Sequence, residues 1–140
     1  MFPPATRNSF EMIIRRSTAA LICAVLWFSL SGCGGPRNKP VRIELARATL
    51  KQVLELWKNG GNMEDLRKQS PEIVVQEAHW TSGAKLQEFQ LIGDGRAADA
   101  SWFCEVQLTL TKADGGEATK KNVTYVVGTD PVLTVFRAIL

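Results

Sequence analysis

The sequence predicts an α+β fold: two N-terminal helices packed on a curved antiparallel sheet of about five strands, in meander order, with a cone-like outline. Two observations carry this expectation. Apolar residues recur at helical spacing from Ile43 to Trp57, and from Ile73 onward the period changes to two. The alternating runs are separated by short stretches rich in Gly, Asp and Pro, the residues that tolerate tight or positive-φ geometry.

The first helix places Ile43, Ala46, Leu50, Val53, Leu54 and Trp57 on one face and Glu44, Arg47, Lys51, Glu55 and Lys58 on the other, with Gly60-Gly61 as its stop. The mixed charge of the polar face suits a helix packed on a core better than one lying on a membrane. Asn62 then reads as the N-cap of a short second helix, with Asp65 in the capping-box position, Met63 and Leu66 facing inward, and Ser70-Pro71 ending it.

Strands are expected over Ile73 to Glu77, Lys85 to Ile92, Ala98 to Thr111, Ala118 to Val127 and Val132 to Phe136. Gly93-Asp94-Gly95, Ala113-Asp114-Gly115-Gly116 and Gly128-Thr129-Asp130-Pro131 are the expected turns between the last four. On the third strand Trp102, Cys104, Val106, Leu108 and Leu110 share the parity that should meet the helix, while Glu105, Gln107, Thr109 and Thr111 look outward and only Phe103 breaks the polar face.

Two amphipathic helices followed by a long meander resemble the nuclear transport factor 2-like superfamily, a cone-shaped fold shared with ketosteroid isomerase. The resemblance spans residues 41 to 140 and rests on element order. Cystatin-like folds, with one helix wrapped by a sheet, are the near alternative, which the second helix fits less well.

Ahead of this domain lies an address segment. Arg15 and Arg16 supply positive charge, Ser17 to Ser29 form an apolar stretch, and small residues precede Cys33. The apolar run from Ala19 to Leu30 is shorter than the roughly 20 residues that a membrane span requires. Met12 offers a compact start beside Met1. The Arg15-Arg16 pair lacks the other features of twin-arginine export.

Leu30-Ser31-Gly32-Cys33 resembles the lipobox of bacterial lipoproteins. The resemblance implies that the Cys33 thiol receives a diacylglycerol, that cleavage before it removes residues 1 to 32, and that its new amine is acylated. The partner so implied is the lipid bilayer, held by more than one acyl chain. The domain would be exported and would face the periplasm or the cell exterior. Gly34 is not the aspartate associated with inner-membrane retention, so an outer-membrane address stays open. The expected organisation is a signal over 1–32, a tether over 33–40, polar and rich in chain breakers, and one domain over 41–140.

Cleavage would remove Arg7, Arg15, Arg16 and Glu11, lowering the formal charge from +3 to about +1. The basicity of the chain therefore belongs largely to the address segment, and no nucleic-acid partner is expected. Of three cysteines, Cys23 leaves with the signal and Cys33 is lipidated. Cys104 remains, on a strand face where it packs as a small hydrophobe. The single histidine, His79, has no companions at metal-ligand spacing, so neither metal nor cofactor is expected.

Isomerases and dehydratases of the resembled superfamily use a pocket acid or base with tyrosine or histidine donors. No catalytic pair carries over onto this chain by motif. The candidate pocket is aromatic instead: Trp57, Trp80, Phe89, Trp102 and Tyr125, with His79 and Glu77 as polar contacts, either lining an opening or filling the core. Three readings are open. The first is a non-catalytic binding or protein-interaction module for a small apolar ligand or an envelope protein. The second is a structural envelope protein docking through an edge strand or the Phe103 face. The third is a small pocket enzyme, which requires Asp99 or Glu77 to meet Tyr125 or His79 in a dry cleft.

Overall fold

A computed structural model describes residues 39 to 139. The address segment, the lipidation expected at Cys33 and most of the tether lie outside the described residues.

The amphipathic stretch forms α1 (Ile43–Lys58), which buries Ala46, Thr49, Leu50, Val53, Leu54 and Trp57. Ile43, expected on that face, is 41 % exposed. The helix ends where the Gly60 N–H donates to the Trp57 carbonyl and the Gly61 N–H to that of Leu56, the Schellman arrangement that a glycine at positive φ permits. Asn62 caps α2 (Met63–Lys68) by accepting the Glu64 N–H at 2.9 Å. Asp65 does not complete a capping box; its carboxylate lies 3.7 Å from the Lys68 ammonium instead.

The expected fold class is corrected at the first strand. β1 (Ile73–Gln76) does not pair with β2 (Lys85–Ala98); between them stands a third helix, α3 (Ala78–Thr81). Together with β3 (Ser101–Thr111), β4 (Thr119–Gly128) and β5 (Leu133–Arg137) they form a five-stranded sheet in the order β1-β5-β4-β3-β2. β1 runs parallel to β5, with Ile73 opposite Leu133 and Gln76 opposite Phe136. The sheet is therefore mixed, and two N-terminal helices packed on an antiparallel meander do not describe it. The physical reason lies at Glu77. Its side chain caps α3, which turns the chain away from the β1–β2 hairpin that alternation alone suggests and leaves the free β1 to pair with β5.

The turn between β2 and β3 is also corrected. Gly93-Asp94-Gly95 sits inside β2, at a register shift between Ile92 and Arg96, and the reversal is made by Asp99-Ala100, with Asp99 at φ 52. Gly95 is required there by close approach: a Cβ would lie 2.5 Å from the Trp102 indole nitrogen and 2.6 Å from the Phe103 carbonyl. The indole N–H of Trp102 donates to the Asp94 carbonyl at 3.1 Å, tying the bulge to β3.

One layer of core results. Trp102, Cys104, Val106, Leu108 and Leu110 of β3, with Tyr125, Val127 and Val135, are buried against α1. Phe103, Val126 and Phe136 lie in register on the opposite face, half-buried.

Candidate functional site

The structure does not gather the five aromatic pocket candidates around one opening. Trp57, Trp102 and Tyr125 are 3 %, 0 % and 1 % exposed and belong to the core. Trp57 stacks on half-buried Trp80 with centroids 5.5 Å apart and donates its N–H to the Ala84 carbonyl at 2.9 Å, so this pair closes the end of α1 over the start of β2. Trp102 carries the Arg47 guanidinium over its ring at 5.5 Å. Phe89 is half-buried and borders a different, polar groove with Gln107 and Lys120. Asp99 stands in a turn, outside any such cluster. Cys104 is fully buried, and burial pushes its thiol pKa up, as suits a packing residue.

What the fold does bring together is Glu77, Tyr125, Arg137 and the backbone of His79. β1 ends at Gln76, so the next residue in core-facing parity after Ile73 and Val75 is Glu77, which is placed inside at 2 % exposure. On β4, Tyr125 lies opposite Arg137 of β5. The Tyr125 hydroxyl donates to Glu77 Oε2 at 2.6 Å. The other oxygen, Oε1, accepts the His79 N–H at 2.8 Å and lies 3.3 Å from Arg137 Nη1. A buried carboxylate costs several kcal/mol unless paired and hydrogen-bonded, and this one has both.

The cluster moves its neighbours' proton equilibria. Burial, then the Glu77 charge and its hydrogen bond, push the Tyr125 phenol far above its ordinary value. Burial, with help from the Arg137 charge, lowers the pKa of His79 despite the opposing pull of Glu77. Tyr125 is thus a neutral donor that orients Glu77, and His79 is biased to the neutral imidazole.

Beside the cluster lies an open cleft of about 560 Å³, lined by Val75, Gln76, Glu77, Ala78, Thr81, Ser82, Arg137 and Ile139. A second, of about 410 Å³, shares Arg137 and Ile139 with it. The Thr81 and Ser82 hydroxyls donate to the Glu77 and His79 carbonyls, which leaves their oxygens as acceptors. Sequence reasoning considered Glu77, Tyr125 and His79 but missed Arg137. Its signal was present in the pattern: core-facing parity with Leu133 and Val135 puts a cation at the edge of the core, where a buried acid can pair with it.

Among the described residues no group of three His, Cys, Asp or Glu side chains is placed to hold a metal ion, and no helix is long and apolar enough to cross a membrane. Compared with known proteins, the chain matches no family model, no curated sequence and no solved structure.

Proposed function

We propose that the protein is a membrane-anchored lipoprotein of the bacterial cell envelope, tethered through acylated Cys33, whose small domain is a non-catalytic binding module. The observation that supports a binding role over a catalytic one is the state of Glu77. It is the one carboxylate beside the cleft that has a hydroxyl partner, yet it is 2 % exposed and held by Tyr125, the His79 N–H and Arg137. A general base must reach the proton it removes. Arg137, Thr81 and Ser82 instead present a ready polar surface to the cleft. Anchoring is tested with Cys33→Ala. Wild-type protein should fractionate with membranes and carry the mass of its acyl chains, whereas the variant should remain an uncleaved, unacylated precursor. Identical maturation of the two would remove the anchor.

The Glu77–Tyr125 contact also favours a second reading, a small pocket enzyme of the isomerase or dehydratase type, since a carboxylate and a phenol are the base and donor such chemistry uses. It predicts deuterium uptake at the acidic C–H of a ketone offered in heavy water, abolished by Glu77→Gln. Lack of exchange by wild-type protein disposes of it.

A further inference from the structure

We propose that the cleft at the end of β1 is a binding site for a small organic carboxylate with an apolar body, with Arg137 receiving the carboxylate. The inference rests on the binding-module reading and names its ligand class.

Arg137 carries a guanidinium with five N–H donors, and its one ion pair among the described residues is the 3.3 Å contact from Nη1 to Glu77. That contact is monodentate. It engages Nη1 and leaves the Nε–Nη2 edge without a partner among the described residues, and such a planar pair of N–H donors is the group that receives a carboxylate through two parallel hydrogen bonds. The side chain is 24 % exposed, reaching both adjoining clefts, so it is positioned at their common wall rather than extended into solvent. A fixed, partly desolvated cation loses less freedom on binding than a surface lysine does.

Charge and surface select the ligand. Glu77 already offsets one positive charge, which favours a monoanion over a phosphate dianion. Val75 and Ala78 give the cleft an apolar wall, and its volume of about 560 Å³ suits a small molecule. Acceptor oxygens of Thr81 and Ser82 stand on the α3 side, where a hydroxyl or amide donor of the ligand would meet them.

The test uses the full chain in a neutral detergent, with 3-phenylpropionate as probe, and 3-phenylpropanol and inorganic phosphate as comparisons. Amide resonances of Ala78, Thr81 and Ser82 and the Arg137 Nε–H signal should shift saturably with the acid, and far less with the alcohol or with phosphate. Arg137→Lys should weaken the acid by about tenfold or more, the worth of a charge-assisted hydrogen bond. Ala78→Trp, which fills the cleft from an exposed position and leaves the Glu77–Arg137 pair intact, should abolish binding. Equal shifts with acid and alcohol would overturn the carboxylate assignment while leaving the binding reading in place. Equal shifts with phosphate would overturn it in favour of a general anion site. No shift with any probe would overturn both the ligand class and the cleft as a binding surface. Binding to Ala78→Trp as tight as to wild type would place the ligand elsewhere and overturn the site.

Discussion

Tyr125 and Glu77, 48 residues apart in sequence, meet through a 2.6 Å hydrogen bond with both side chains buried. The bond joins β4 to the segment between β1 and α3 across β5. It therefore ties the parallel edge of the sheet to its antiparallel body.

Tyr125→Phe leaves Glu77 Oε2 without its donor in a buried site. A charge-assisted bond of this kind is worth about 1.5–3 kcal/mol. Urea unfolding should show a loss of that size. Glu77→Gln should cost at least as much, because it also strands Arg137 without its counter-charge. A wild-type midpoint in Tyr125→Phe would mean that the bond contributes nothing.

Tyr125 is the only tyrosine in the chain, so phenolate absorbance reports this site alone. Its pKa in the folded protein is raised above the ordinary 10.0. Above pH 10 the unfolded chain loses a proton that the folded chain keeps, so stability falls as pH rises. Phenolate should appear only together with loss of tertiary structure, and ionisation of the intact fold near the ordinary pKa would contradict a buried hydroxyl.

His79 supplies the opposite limb. Its folded pKa lies below 6.5, so between that lowered value and 6.5 the unfolded state binds more protons, and stability declines as pH falls through this window. Unfolding midpoints measured from neutral to mildly acidic pH should fall less in His79→Gln than in wild type. Parallel curves would assign the acid sensitivity to other groups.

Two glycines in the β2 bulge separate strain from collision. At Gly93, with φ +68, a Cβ meets nothing within 4 Å, so Gly93→Ala should cost only the left-handed backbone term of about 1–2 kcal/mol. At Gly95, with φ +72, the same methyl collides with Trp102 and the Phe103 carbonyl, adding overpacking of roughly 1–3 kcal/mol. Gly95→Ala should therefore be clearly the less stable of the two, and should alter Trp102 fluorescence. Equal losses would remove the close-approach account.

Local pattern by itself determined much of this protein. The 3.6-residue spacing from Ala46 to Trp57 and the alternation from Trp102 to Leu110 are short-range signals, readable because each apolar side must be buried wherever the element ends up. The Asn62 cap was readable for the same reason, since its hydrogen bond closes within two residues. Pairing partners were not legible, because a strand's alternation is the same beside any neighbour. β1 could join β2 as a hairpin or β5 in parallel, and only the tertiary structure decided for β5 once Glu77 capped α3. Gly93-Asp94-Gly95 has the composition of a hairpin loop, yet it forms a bulge, because its role is set by Trp102 lying against Gly95 from the next strand. The candidate site depended on the same decision: Glu77 and Tyr125 could be singled out by type, but Arg137 joined them only because the fold places β5 between β1 and β4.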